Sequence, residues 1–235
     1  MPTPVLLTVD AVVFGYTPDR DLHVLLIRRG LEPYAGSWAL PGGFVLPNEH
    51  LETAVRRELR EEAGIEPDYL EQLYTFGDPA RDPRGHVVSV AYYALVKPTK
   101  FTLAAGTDAD DAQWKPMADL PPLAFDHAEI LQTAFKRLSA KATYEPVGFE
   151  LLDEKFPFSH LEHLYRTFLG HDIERRNFRK KIMQYGFVEE LDEKAGSSGS
   201  GRPATLFRFN RARYFELKNQ GIVLDLFVKE PPVKK

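Results

Sequence analysis

The stretch "RRELREEAGI", residues 56–65, places Glu58, Glu61 and Glu62 within five positions. On a helix, spacings of i, i+3 and i+4 bring all three carboxylates onto one face. Like charges so arranged repel by about 0.2–0.5 kcal/mol per pair. One explanation is a solvated face, because Arg56, Arg57 and Arg60 are interspersed with the acids. The other is a cation. Mg²⁺ is a hard ion that takes oxygen ligands, commonly one or two carboxylates completed by substrate phosphates and water. Three carboxylates fixed on one face suit that role, and a bound ion would relieve their repulsion.

Working outward, the segment around this helix reads as mixed α/β. "VLLTVDAVVFGY" (5–16) and "HVLLIRR" (23–29) are β-branched runs joined by the hairpin-like "PDRD". "GSWALPGGFV" (36–45) reads as a glycine- and proline-broken loop, and Gly64 stops the helix that follows. "YLEQLYTFGD" and "HVVSVAYYALV" are strands flanking the polar loop "DPARDPRG", and "AQWKPMADLPPL" is a strand ending in a turn. "DHAEILQTAFKRLSAKA" (126–142) carries Ile130, Leu131, Ala134, Phe135 and Leu138 at helical spacing. Phe14 and Trp38 read as core, and His127 as a structural helix-start residue or one facing a substrate.

The character of the chain then changes, which places a domain boundary near residues 141–150. The expected domains are 1–142 and 148–230. "SHLEHLYRTFLG" and "IERRNFRKKIMQYG" read as two helices joined by "HD", with Ser159 and Glu162 as a capping box. "FVEELDE", the flexible "KAGSSGSGRPA" and "TLFRFN" complete a hairpin, so the pattern is a winged helix-turn-helix. The second helix carries Arg175, Arg176, Arg179, Lys180 and Lys181, with Phe178, Ile182 and Met183 on its other face. Such a helix enters a major groove, while a wing residue such as Arg202 reaches a phosphate or the minor groove.

Composition limits the alternatives. The 235 residues are 43% apolar and 27% charged, as in a soluble globular protein. No run approaches the roughly 20 apolar residues of a membrane span. The start lacks a basic n-region, so no secretion signal is expected. The absence of cysteine excludes disulfides, thiolate metal sites and a cysteine nucleophile, and fits the cytoplasm. Residues 1–144 carry 14 Lys/Arg against 20 Asp/Glu and residues 145–235 carry 16 against 14, giving −6 and +2. Two parts with different partners fit that asymmetry.

Gly43, Glu49, Arg57, Glu58, Leu59, Glu61, Glu62, Gly64 and Ile65 follow the spacing G-x5-E-x7-R-E-U-x-E-E-x-G-U, U being aliphatic. At every position this resembles the Nudix signature. The resemblance implies an α/β fold, a mixed sheet sandwiched by helices. It also implies a Mg²⁺ site, with Mn²⁺ as an alternative, made by Glu58, Glu61, Glu62 and the Gly42 carbonyl. Arg57 and Glu49 would orient the ligand helix. The implied reaction is hydrolysis of a nucleoside diphosphate linked to a second group, with a box glutamate (Glu61 or Glu62) or Asp111 as base. Asp110 and the loop residues Arg81, Asp82 and Arg84 are candidate substrate contacts, since arginine forks suit phosphate.

The combination of this box with "RRNFRKKI" and "GRPATLFRF" resembles the Nudix-related transcriptional regulators of NrtR type over nearly the full chain. "GDPARDPRG", "DDAQW" and "LAFDH" fit that group too. The resemblance implies a homodimer on palindromic double-stranded operators, commonly of NAD-biosynthesis genes, answering to ADP-ribose or a related ligand; one branch answers to a sugar. Some relatives have a degenerate box, and this one is complete. Two other readings stay open: a hydrolase whose C-terminal domain only dimerises, and a sensor without turnover.

Overall fold

The computed structural model describes residues 4–18, 21–103, 109–195 and 203–220. The chain divides into two compact units, Met1–Arg137 and Leu138–Lys235.

The first unit runs β1 (Leu6–Thr17), β2 (Asp21–Arg29), β3 (Trp38–Ala39), β4 (Gly42–Phe44), α1 (Leu51–Ala63), β5 (Tyr69–Phe76), β6 (Val87–Val96), β7 (Ala109–Pro116) and the start of α2 (His127–Tyr144). The sheet order is β3-β2-β1-β6-β5, with β4 on β1 and β7 on β2. Strand β1 is parallel to β6 and antiparallel to β2 and β4, so the sheet is mixed. Side chains alternate across a strand. Val9, Ala11 and Val13 therefore join Ala54, Val55, Leu59 and Ala63 of α1 in one core cluster. Phe14 faces the other way and meets Phe135 of α2 edge-on at 6.4 Å. The sheet is thus covered on both faces, and Phe14 is core as expected.

Two short strands lie inside the stretch 36–45 that reads as loop. Asp10 of β1 pairs with Gly42 of β4. That approach needs glycine, because a Cβ at Gly42 (φ +157°) would lie 2.2 Å from the Val9 carbonyl oxygen. At the end of α1, Gly64 adopts φ 68° and its N–H bonds the Arg60 carbonyl, while the Ile65 N–H reaches back to Leu59 at 3.1 Å. This left-handed cap satisfies the last helical carbonyls and turns Ile65 into the core.

The second unit comprises β8 (Phe156–Pro157), α3 (Phe158–Leu169), α4 (Arg175–Tyr185), β9 (Val188–Lys194), β10 (Thr205–Phe209) and α5 (Arg211–Asn219). Strands β8, β10 and β9 form one antiparallel sheet in that order. Phe158, Tyr165, Phe168, Phe178, Ile182 and Phe207 are buried together beneath the two helices, each such side chain contributing roughly 1.5–3 kcal/mol. The result is a winged helix-turn-helix.

Two local expectations change. Helix α3 begins at Phe158 and its N-cap, Pro157, makes no side-chain cap bond, so Ser159 and Glu162 do not form a capping box. Glu162 is instead buried and accepts a bond from Arg175 Nε of α4. Lys181 is buried rather than on the basic face. Helix α5 has no counterpart in the sequence reading; the Asn210 side chain caps it by accepting the Arg213 N–H at 2.9 Å. The loop 196–202, with Arg202, and the tail from residue 221 lie outside the described residues.

Candidate functional site

The signature positions divide into three jobs. Leu59, Gly64 and Ile65 pack and terminate α1. Glu49 and Arg57 fix the helix against the preceding loop. Arg57 Nε and Nη2 donate to Glu49 at 2.8 and 3.0 Å, and Nη2 also reaches the Phe44 carbonyl at 3.1 Å. These bonds, with the Leu46 amide, hold the Glu49 carboxyl down at about 2. Glu58 and Glu62 turn into a cleft of about 330 Å³, while Glu61 stays at its rim, more than half exposed, with Arg57 Nη1 at 3.2 Å.

The cleft carboxylates are crowded and dry. Glu62 is buried and accepts the Gly42 N–H at 2.8 Å. Burial pushes its pKa up to about 8, with Glu58 and Asp10 adding to the rise and the Gly42 bond opposing it. Burial also raises Glu58, against a 2.6 Å hydrogen bond from Arg57 Nη1. Gly43 leaves room for this arrangement, since a Cβ there would lie 2.3 Å from Glu58 Oε1. Two carboxylates that resist ionisation in a cleft suit a divalent cation, whose field would reverse the shift. Oxygen donors of this hardness fit Mg²⁺ with the remaining positions left to phosphate and water. Among the described residues no group of three or more Asp, Glu or His side chains converges on one point.

The remaining lining residues come from distant segments. Arg84 donates to the buried Asp82 through Nε and Nη2 at 3.0 and 2.7 Å. Burial raises Asp82, but these bonds and the Arg84 backbone bond prevail and keep it low. The Arg84 guanidinium lies 4.9 Å from the Phe44 ring and 5.6 Å from Phe125. Arg29 lies 4.9 Å from Phe125 as well, its pKa lowered by burial and then by Arg84. Phe125 itself adopts φ +52°, a strained conformation for a non-glycine residue. Arg81 lines the cleft but is buried, gripping Asp126 at 2.8 and 2.7 Å and Asp10 at 3.3 Å.

Of the candidate residues, Gly42, Arg57, Glu58, Glu62, Arg81, Asp82 and Arg84 thus line one cleft. Glu49 acts through Arg57. Asp111 sits on β7 opposite Arg28, accepts a bond from Gln113 Nε2 and does not line the cleft. The side chain of Asp110 lies outside the described residues. Asp10, Arg29, Phe44 and Phe125 line the cleft and were missed. Asp10 alone left a trace, as a single acid inside an apolar strand.

In the second unit the Glu174 side chain caps α4 by accepting the Arg176 and Asn177 N–H groups at 3.1 and 2.7 Å. Arg175, Arg176, Arg179 and Lys180 are exposed on it. Arg175 is tied to Glu162, and the Arg179 guanidinium lies over Phe158 and Phe207 at 5.0 and 5.3 Å. Among the described residues no helix is long and apolar enough to cross a membrane.

Comparison with known proteins agrees with both units. Family models match a NUDIX domain at residues 6–134 and an NrtR DNA-binding winged helix domain at residues 148–209. The chain is 36% identical to the "ADPR responsive transcriptional repressor NtrR" of Acinetobacter baylyi, over 88% of this chain and 83% of that one. The crystal structure of Shewanella oneidensis NrtR complexed with a 27mer DNA matches with TM-score 0.75 and 36% identity, over 89% of this chain and 95% of that one. The NUDIX domain of that protein complexed with ADP ribose matches with TM-score 0.55 and 42% identity, over 58% of this chain and 90% of that domain. The chain belongs to the NrtR family of the Nudix superfamily, a NUDIX domain joined to an NrtR DNA-binding winged helix domain.

Proposed function

We propose that this protein is a DNA-binding transcriptional repressor whose Nudix cleft binds ADP-ribose or a related nucleoside diphosphate derivative and hydrolyses it with Mg²⁺ or Mn²⁺. It works in the cytoplasm as a homodimer on a palindromic operator of NAD-metabolism genes. The observation that carries this reading is the pairing of Glu58 and Glu62, both pushed up by burial, in one cleft that Arg84 and Arg29 also line. The carboxylates await cations, and the guanidinium groups await phosphate.

Glu58, Glu62 and the Gly42 carbonyl would hold the metal, with Glu61 joining from the rim. When bound, a divalent ion polarises the diphosphate and lowers the pKa of the attacking water. Arg57 and Glu49 keep the ligand helix in register with the loop at residues 44–49. Arg84 and Arg29 neutralise the charge of the departing phosphate. The attack of water on one phosphorus breaks the bridging P–O bond, and a box glutamate takes the water's proton. ADP-ribose would yield AMP and ribose 5-phosphate.

On the DNA side, Arg176 and Lys180 supply exposed charge for phosphates and base edges, and Arg202 of the wing adds a further contact. Ligand shifts the population between DNA-competent and DNA-incompetent arrangements, and must bind the latter more tightly. Selection of duplexes from a randomised library by the full chain tests this reading. A palindromic consensus whose affinity falls on adding ADP-ribose supports it; no enrichment overturns it. One observation favours a second reading, a sensor without turnover: Glu61 is engaged by Arg57 at the rim rather than turned into the cleft. Release of AMP from ADP-ribose decides between them.

A further inference from the structure

A buried polar ring lies outside the nine signature positions. His127, at the start of α2, is 4% exposed and its Nδ1 accepts the Leu40 N–H at 2.9 Å. That bond leaves the ring hydrogen on Nε2, which lies 3.5 Å from Asp10 Oδ1. Asp10 Oδ2 takes the Ser89 hydroxyl at 2.5 Å and Arg81 Nη2 at 3.3 Å. Arg81 closes the ring by gripping Asp126, the neighbour of His127. Burial pushes the His127 pKa down, in keeping with a neutral imidazole.

Three members of this ring, Asp10, Arg81 and His127, line the inner end of the cleft. Leu40 is two residues from Gly42, whose N–H is accepted by Glu62 at 2.8 Å. The same turn is pinned on its other side by the Ala11 N–H, which donates to the Pro41 carbonyl at 2.8 Å. We propose that His127 is a positioning residue: through Nδ1 it fixes the turn at residues 40–42 and so delivers the Gly42 peptide to Glu62, while Asp10 and Arg81 lock the tautomer and orientation of the ring. An apolar side chain at 127 would leave the buried Leu40 amide without an acceptor. His127 need not touch the ligand for this role.

The turnover arm below rests on the hydrolase reading given above; the exchange arm does not. In His127→Asn the amide oxygen takes the place of Nδ1 and keeps the acceptor for Leu40. In His127→Gln the longer side chain reaches toward Asp10 but loses that acceptor. Both variants and His127→Ala are compared with the wild-type full chain in ADP-ribose and Mg²⁺, reading kcat, KM and amide hydrogen exchange. The expected result is a fall in kcat of tenfold or more in H127Q and H127A, with KM within threefold, and near wild-type turnover in H127N. The amides of Leu40 and Gly42 should exchange at least tenfold faster in H127Q and H127A only, with Leu59 as an unchanged reference. Equal losses in H127N and H127Q, or unaltered exchange at Leu40 and Gly42 in H127A, overturn the proposal. If the wild type releases no AMP, the hydrolase reading fails and the exchange pattern alone decides the role of His127.

Discussion

Arg57 binds Glu49 through two parallel hydrogen bonds, Nε to one carboxylate oxygen at 2.8 Å and Nη2 to the other at 3.0 Å. The same guanidinium reaches Glu58, Glu61 and the Phe44 carbonyl, so one side chain ties the glycine loop to the carboxylate helix. Lysine cannot reproduce that fork. Arg57→Lys is expected to lower ADP-ribose turnover by about 10–100-fold, the range for groups that orient metal ligands. Steady-state kinetics with Mg²⁺ checks it.

The clasp also sets an acid limb. Glu49 is held at about 2, against an ordinary 4.5, so its folded pKa is depressed. Its stabilisation is complete above about 4.5 and is lost as pH falls toward 2. Urea denaturation of wild type and Glu49→Gln should differ most above pH 5 and converge as pH drops through this window. A constant difference across it contradicts the assignment.

Glu62 has the opposite sign. Its folded pKa, raised to about 8, makes the protonated form the favoured one, so its contribution is present below about 4.5 and lost as pH rises toward 8. In the absence of metal, Glu62→Gln is therefore expected to melt several degrees higher than wild type at pH 8, the gain shrinking toward pH 4.5. Adding Mg²⁺ should raise the wild-type melting temperature at pH 8 and leave E62Q nearly unmoved. Differential scanning fluorimetry across pH reads both.

The adjacent glycines separate folding from function. A Cβ at Gly42 meets backbone, the Val9 carbonyl at 2.2 Å, whereas a Cβ at Gly43 meets only the end of the Glu58 side chain. Gly42→Ala should cost about 3 kcal/mol or more, as overpacking against fixed backbone does. Gly43→Ala should fold within about 1 kcal/mol of wild type, because a flexible carboxylate gives way, yet lose at least tenfold in turnover. Equilibrium denaturation beside kinetics distinguishes the pair.

On the second unit, Arg176 and Arg179 should behave differently. Arg176→Ala removes an exposed charge and is expected to weaken operator binding and reduce the salt slope by about one, without changing the melting temperature. Arg179→Ala also uncovers Phe158 and Phe207, so it should lower stability as well. Binding titrations at several salt concentrations, with melting curves, check both.

The nine spaced positions of the box were legible because each is local to one loop and one helix, where spacing fixes the face. Their division of labour was not. Nothing in the spacing says that Glu62 is buried while Glu61 stays at the rim; the packing of α1 against β4 decides it. The Asp10 ring was hidden for a different reason. Its members come from residues 10, 81, 89, 126 and 127; the parallel pairing of β1 with β6 brings only Asp10 and Ser89 together, and such nonlocal contacts leave no periodic trace. Arg81 looked like a surface phosphate fork, yet two carboxylates hold it in the interior. Glu162 looked like a capping residue because its spacing from Ser159 was right, but the N-cap is Pro157, two residues earlier, and Arg175 claims its carboxylate.

The most direct test is incubation of the full chain with ADP-ribose and Mg²⁺, analysed for AMP, beside Glu62→Gln. The expected result is AMP and ribose 5-phosphate in equal amounts from the wild type, with the rate falling at least a hundredfold in E62Q. A wild-type chain that releases no AMP with either Mg²⁺ or Mn²⁺, or an E62Q chain that turns over normally, would contradict it.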